Sequence, residues 1–265
     1  MGDAFSLVVN IGGIPIRLRT VDSGFHQLLH TRYFGFLGSA DGTFREVSIE
    51  LAPDAQFNSQ SGARARLQNG VWMITRRDFQ GFWNPGVQRG QVRQTANPYS
   101  IDSFLRIVHT LILAEEGGFL VHASSVIRNG GAFLFAGPSG AGKTTIASLA
   151  PSDTTLLTDE ISYVRFKRGE YHAWGTPFAG ELASSGENVS AAVAGVFFLS
   201  KGATNQVDLV SSGEAVRELL KSILFFSDDW VLVRQVFKSA CGFISGVPAR
   251  RLTFVPDVRV WELIR

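Results

Sequence analysis

The sequence of 265 residues contains little cysteine and no long apolar segment. Cys241 is the single cysteine, so an intrachain disulfide framework is excluded. Because no signal peptide is recognisable either, we expect a reducing, cytoplasmic location. The longest apolar runs, such as residues 193–199, fall well short of the roughly 18 residues that a membrane helix needs. We therefore expect no membrane partner.

The sequence also lacks a strong charge of either sign. The net charge is +2, and the 18% of charged and 45% of hydrophobic residues are typical of a globular protein. Arginines do cluster at 17–19, 64–66, 76–77 and 89–93. Since no aromatic-rich recognition motif accompanies them, we expect a solvated sheet face and no nucleic-acid partner.

Short strands separated by turn signals make up the first hundred residues. The segment SLVVNIGGIPIRLRT gives two strands broken at Gly12-Gly13, and TFREVSIELA alternates apolar and polar residues with period two. Near Tyr99 the spacing becomes helical, and this helix is expected to begin at Ser100 or Asp102. These patterns predict a smaller, mostly β domain of unknown role over 1–98 and a second domain over 99–265.

In the second domain, Gly117-Gly118 is expected to end the helix, and strands resume after it. Residues 212–226 have the pattern of an amphipathic helix capped by Ser211 or Ser212. Trp230 and Trp261 are expected to be packing residues rather than platforms for base stacking.

A phosphate-binding loop follows the buried strand AFLFA. Its G-x-x-x-x-G-K-[ST] pattern, with one further threonine, consists of Gly137, Pro138, Ser139, Gly140, Ala141, Gly142, Lys143, Thr144 and Thr145. The glycines allow backbone N–H groups to turn toward phosphate oxygens. Lys143 could reach the β- and γ-phosphates, and the Thr144 hydroxyl could bind Mg²⁺. The loop therefore predicts nucleotide binding, with ATP and Mg²⁺ as the expected cofactors.

An acidic pair, Asp159-Glu160, ends the apolar segment TLLT only sixteen and seventeen residues after Lys143. A carboxylate at this position could hold Mg²⁺ with Thr144, and its neighbour could take a proton from an attacking hydroxyl. The short spacing excludes an ABC-type ATPase, which needs a signature motif and over a hundred residues between these features. No arginine-rich lid of the adenylate kinase type follows the loop.

The motifs GPSGAGKTT and LLTDE resemble those of the HPr serine kinase and phosphoenolpyruvate carboxykinase superfamily. His122 lies fifteen residues before Gly137, where the HPr kinase pattern has its histidine. The segments GGFLVHASSV, WGTPFAGE and RRLTFVPDVRVWELI follow in the order of HPr-kinase-like proteins. The resemblance covers roughly residues 100–265.

This resemblance implies an α/β (α+β) fold in which a nucleotide-binding domain with a mixed sheet follows the β-rich domain. It implies that Asp159 is the metal ligand or the base, that Glu160 is the alternative base, and that His122 lies near the γ-phosphate. It also implies an oligomer. Glu181 is the nearest counterpart of the substrate-side glutamate of HPr kinases, although no arginine follows it closely.

The expected activity is transfer of the γ-phosphate of ATP to a hydroxyl acceptor, a serine of a protein or peptide or a small molecule. The alternatives are a nucleotide-binding regulatory module without turnover, a carboxykinase-like reaction, and simple ATP hydrolysis. An acceptor-side pocket without arginine would favour the regulatory module.

Overall fold

The computed structural model describes residues 4–39, 45–52, 57, 62–178 and 186–264. Contacts divide the chain into two compact units, Met1–Ile112 with Phe225–Val233, and Leu113–Leu224 with Arg234–Arg265. The boundary predicted near residue 98 stays a prediction, because a division by contacts does not test independent folding. The fold is a mixed α/β arrangement with two mixed sheets. The α/β class is as expected, whereas a mixed sheet was expected only in the second domain.

The first unit is built on a seven-stranded sheet in the order β1-β2-β3-β7-β6-β5-β4. Its strands are β1 (Phe5–Ile11), β2 (Ile14–Thr20), β3 (Arg45–Leu51), β4 (Arg64–Gln68), β5 (Val71–Arg76), β6 (Phe79–Asn84) and β7 (Arg89–Gln94). Helix α1 (Ser23–Arg32) connects β2 to its parallel neighbour β3, and a short 3-10 helix, Phe34–Phe36, follows α1. Gly12 and Gly13, both with positive φ, form the tight β1–β2 turn predicted from the sequence.

Helix α2 (Pro98–Glu116) covers one face of this sheet through residues such as Phe104, whose ring meets Phe79 edge-on at 5.8 Å. The predicted start of α2 at Ser100 or Asp102 is wrong. The Asn97 side chain accepts a hydrogen bond from the backbone N–H of Tyr99 at 2.9 Å. Ser100 and Asp102 lie inside the helix because their side chains bind tertiary partners instead.

The second unit has an eight-stranded sheet in the order β10-β8-β11-β12-β13-β15-β14, with β9 between β8 and β13. Its strands are β8 (Phe119–Arg128), β9 (Gly131–Ala136), β10 (Thr155–Thr158), β11 (Ile161–Lys167), β12 (Glu170–Trp174), β13 (Ser190–Lys201), β14 (Gln206–Leu209) and β15 (Ala249–Phe254). Its helices are α3 (Lys143–Ser148), α4 (Ser212–Ser222), α5 (Trp230–Gly246, which begins in the first unit) and the 3-10 helix Val258–Glu262.

Strand β8 changes partners along its length. Residues 119–122 pair with β11, whereas residues 125–127 pair with β10 on the same side. On the other side, residues 123–128 pair with β9. The chain that forms β10 and β11 thus follows β8 as one interrupted strand, and the interruption is residues 159–160.

The interior of the second unit is rich in aromatic side chains, and Phe135 packs on both Phe197 and Trp261. The prediction of a packing role is confirmed for Trp261, which is 2% exposed, and is wrong for Trp230, which is 67% exposed. Ser211 caps α4 by accepting a hydrogen bond from the Glu214 N–H, as expected. No helix among the described residues is long and apolar enough to cross a membrane.

Candidate functional site

The loop predicted to bind phosphate leaves the middle of the second sheet. Strand β9 ends at Ala136, which pairs with Ala123 of β8 on one side and Phe198 of β13 on the other. Helix α3 begins at Lys143, so residues 137–142 form the connection between strand and helix. The loop is therefore anchored at both ends by buried structure.

The glycines of this loop are required by its backbone. Gly140 and Gly142 have φ of 76° and 104°, in the region that favours glycine. A Cβ on Gly142 would lie 2.7 Å from the Phe254 ring, and one on Gly137 would lie 2.8 Å from the Cβ of Ala141. The spacing of glycines in the motif thus follows from both conformation and packing.

Lys143 lies over the loop that it follows. Its side chain is buried, and Nζ donates hydrogen bonds to the carbonyls of Gly137 and Pro138, both at 3.1 Å. The Ser124 hydroxyl of β8 donates to the backbone carbonyl of Lys143 at 3.0 Å, and Ile146 is buried in the aromatic interior. The first turn of α3 is thereby fixed against both β8 and the core.

His122 lies on the same face of β8 as Ser124, because side chains two residues apart along a strand share a face. Ser124 contacts α3 directly, so His122 belongs to the face on which the loop and helix pack. His122 is half-buried, and its backbone pairs with Ile161, just beyond the acidic pair.

The acidic pair occupies the interruption between β10 and β11. The ladder to β8 shifts by one residue between Leu156 and Thr158, as in a β-bulge, an irregularity that re-aims side chains. The Thr158 hydroxyl then accepts hydrogen bonds from the N–H groups of Glu160 and Ile161, both at 3.2 Å. Asp159 is 2% exposed and Glu160 is half-buried.

The structure brings these predicted residues around one cavity of about 470 Å³. Its lining consists of His122, Ser139, Gly140, Gly142, Lys143, Thr144, Thr145, Asp159 and Glu160. Gly137 and Pro138 line an adjoining cavity instead, and Ala141 is buried. Lysine, threonine, histidine and two carboxylates, which come from three separate segments of the chain, thus face the same space.

The adjoining cavity, of about 590 Å³, shares His122 and Ser139 with the first. Lys221 of α4 and Arg251 of β15, which sequence reasoning did not single out, also line it. Each is paired with a glutamate of α4, Lys221 with Glu218 at 2.8 Å and Arg251 with Glu214 at 2.6 Å. Arg251 lies in the closing RRL segment, but nothing in that pattern predicts that it meets the loop. Its position depends on the pairing of β15 with β13, which the sequence does not specify.

Glu181, the predicted substrate-side residue, lies outside the described residues. The described residues on either side of Glu181 form hydrogen bonds with β10. The N–H of Thr176 donates to the Leu157 carbonyl at 3.1 Å, and the N–H of Glu187 donates to the Leu156 carbonyl at 3.0 Å. Both ends therefore lie beside the strand that leads to Asp159.

No three histidine, cysteine, aspartate or glutamate side chains of the described residues converge on a metal-binding cluster. This does not exclude a Mg²⁺ site of the nucleotide type, which uses one or two protein ligands together with phosphates and water. Thr144 and Asp159, the predicted metal ligands, line the same cavity.

A protein-family model described as "SynChlorMet cassette protein ScmC" matches residues 91–265, about two thirds of the chain. The chain belongs to this ScmC family. The match includes the loop, the acidic pair and His122, and the family is not that of the HPr kinases named from the motifs. No curated protein matches the chain.

Among solved structures, the chain is similar to the HPr(Ser) kinase/phosphatase from Coxiella burnetii. The identity is 10%, the TM-score is 0.26, and the match covers 44% of this chain and 87% of that one.

Proposed function

We propose that the protein is an ATP- and Mg²⁺-dependent phosphotransferase that phosphorylates a hydroxyl group, with a serine of a protein or peptide as the expected acceptor. The observation that carries the proposal is the single cavity in which Lys143, Thr144, Asp159, Glu160 and His122 meet. The proposal includes a phosphate-binding-loop domain of the HPr kinase type over 99–265 and a cytoplasmic location.

The loop fits a polyphosphate in its shape and chemistry. Gly140 and Gly142 allow the positive φ angles of its curved backbone, and the buried ammonium of Lys143 donates to the loop carbonyls at 3.1 Å. Thr144 and Asp159 would hold the metal ion, with oxygen ligands of the kind that Mg²⁺ prefers. Bound MgATP would supply the phosphoryl group to be transferred.

The residues around the cavity would have different roles in phosphoryl transfer. Lys143 would neutralise negative charge that develops on the phosphate oxygens. Asp159 or Glu160 would accept the proton that the acceptor hydroxyl loses as its oxygen takes the phosphoryl group. His122, half-buried between the two cavities, would position the reacting groups.

The adjoining cavity favours an enzyme over a binding module. A module without turnover would need no acceptor pocket, and an acceptor side without arginine would have supported it. Here Arg251 and Lys221 line a space that shares His122 with the loop cavity. We assign this space to the acceptor.

The test is Mg²⁺-dependent ADP formation by the full chain, with and without a pool of serine-containing peptides and free serine. Lys143→Ala and Asp159→Asn are expected to lower acceptor-stimulated turnover by at least about a hundredfold. The matched controls are Lys238→Ala and Asp228→Asn, which make the same chemical changes at exposed positions outside the cavity.

The outcomes separate the alternatives. Phosphate release that no acceptor stimulates would show a simple ATPase. Tight ATP binding with no turnover under any condition would refute the kinase and leave a nucleotide-binding module. An equal loss in the control variants would show that the assay reports stability rather than the site.

A further inference from the structure

Most of the arginine clusters noted in the sequence lie on one open face of the first sheet. Cross-strand pairing places their side chains together, because residues paired directly across a ladder point to the same face. Arg17 pairs with Glu46 and Glu46 with Arg89, while at the far edge Arg66 pairs with Met73. The arginines of this face are Arg17, Arg19, Arg64, Arg66, Arg89 and Arg93.

The opposite face of the sheet is buried, which leaves this one to solvent. Val47, Val92 and Ile74, one residue out of phase with the arginines, are fully buried beneath the helices. Five of the six arginines are exposed, and Arg17 is half-buried. We call this surface the basic face; it spans the six strands from β2 to β4, roughly 24 Å at the usual strand spacing.

The basic face is not neutralised by its own acidic residues. The Glu46 carboxylate forms ion pairs with three guanidinium groups, at N···O distances of 3.9 Å to Arg17, 3.6 Å to Arg19 and 3.0 Å to Arg89. Glu50 forms an ion pair with Arg93, in which Oε1 and Nε are 3.1 Å apart. Asp228 lines one pocket with Arg64 and Arg66. Among the described residues of this surface, six arginines therefore stand against three carboxylates. This surface therefore carries more positive than negative side chains among the described residues.

Apolar side chains lie between the arginine columns. Met73 of β5, which is 39% exposed, pairs directly with Phe82 of β6, which is half-buried. Arg66 follows on one side of this pair, and Gln91 on the other. A ligand for this surface would thus combine spaced negative charges with at least one apolar group.

We propose that the basic face binds an acidic polypeptide segment. Guanidinium groups bind carboxylates in bidentate pairs, and the Met73–Phe82 strip can cover an apolar side chain of the same segment. A nucleic acid fits less well, because Glu46 and Glu50 would lie in the path of its phosphates. The proposal does not depend on the kinase activity.

The test uses a short fluorescein-labelled peptide of glutamate, leucine and phenylalanine, titrated with the full chain by fluorescence anisotropy at low and at physiological salt. The double variant Arg66→Gln/Arg93→Gln is expected to weaken binding about tenfold, since each exposed charge contributes modestly. Added salt is expected to weaken binding of the wild type, because the charges are exposed.

The matched control is Arg217→Gln/Arg259→Gln, which removes two exposed arginines from the second unit; Arg259, like Arg93, has an acidic partner. This control is expected to bind the peptide as the wild type does. Unchanged urea midpoints would show that both doubles are folded.

Three results would overturn the proposal. The first is no binding of the peptide by the wild type at low salt. The second is an equal loss in both double variants, which would indicate a non-specific effect of net charge. The third is tighter binding of a single-stranded oligonucleotide of equal charge that is lost in Arg66→Gln/Arg93→Gln, which would assign the face to nucleic acid.

Discussion

Replacement of Gly142 by alanine tests whether the loop needs its glycines for the reasons that the structure gives. Gly142 has φ of 104°, and a Cβ there would lie 2.7 and 3.1 Å from the Cζ and Cε1 atoms of Phe254. The Phe254 ring is 4% exposed and belongs to the aromatic interior, so it cannot move without disturbing its neighbours.

Two terms make up the expected cost of Gly142→Ala. An alanine held at positive φ costs about 1–2 kcal/mol. Forcing a methyl group against a packed ring costs about 1–3 kcal/mol more. The free energy of unfolding should therefore fall by about 2–5 kcal/mol.

Two other glycines separate these terms. Gly140 in the same loop and Gly130 in the β8–β9 turn have φ of 76° and 79°, and a Cβ on either would meet nothing within 4 Å. Gly140→Ala and Gly130→Ala should each cost only the conformational term, about 1–2 kcal/mol.

The assay is equilibrium urea unfolding of the three variants, together with the affinity of each for ATP. Gly142→Ala combined with Phe254→Leu should lose the steric term but keep the conformational one. If Gly142→Ala were no more destabilising than Gly130→Ala, the close contact between Gly142 and Phe254 would be refuted as the reason for glycine at this position.

Two further predictions concern the buried cluster of Arg32, Tyr33 and Asp102 in the first unit. Asp102, which is 2% exposed, accepts hydrogen bonds from the Arg32 guanidinium at 3.0 and 3.1 Å and from the Tyr33 hydroxyl. Asp102→Ala should lower the free energy of unfolding by about 2–4 kcal/mol because it leaves both donors without an acceptor, whereas Glu50→Ala, at the exposed pair with Arg93, should cause no measurable change in the urea midpoint. Burial, and then the negative charge of Asp102, raise the pKa of the Tyr33 hydroxyl well above 10. Above about pH 10, Tyr33 therefore loses its hydroxyl proton in the unfolded chain and keeps it in the folded one. Stability should then fall with pH, and Tyr33→Phe should make the fall less steep by about 1.4 kcal/mol per pH unit in pH-dependent unfolding; an unchanged slope would contradict the buried hydroxyl.

Local signals in the sequence predicted the elements well where the backbone itself imposed them. The turn at Gly12-Gly13, the end of α2 at Gly117 and the cap of α4 at Ser211 all depend on conformations or hydrogen bonds within a few residues. The start of α2 was wrong because Ser100 and Asp102, good caps by residue type, are used by tertiary partners.

Non-local pairing accounts for what the sequence did not predict at the site. The motif indicates that a loop and an acidic pair exist. It does not indicate that the pairing of β10 with β8 shifts at Leu157, or that the acidic pair interrupts the strand just before Ile161, which pairs with His122. It equally fails to predict that β15 delivers Arg251 to the adjoining cavity. Each of these placements depends on which strands pair, and in which register.

The two proposals concern different units of the chain, and this has a consequence for how they are tested together. Every described residue assigned to the phosphate site belongs to the second unit, whereas the basic face belongs wholly to the first. Arg66→Gln/Arg93→Gln should therefore leave ATP affinity unchanged, and Lys143→Ala should leave affinity for the acidic peptide unchanged. If the acidic segment is part of the phosphate acceptor, the arginine variant will raise KM for that acceptor without lowering kcat, because docking and phosphoryl transfer then use separate groups.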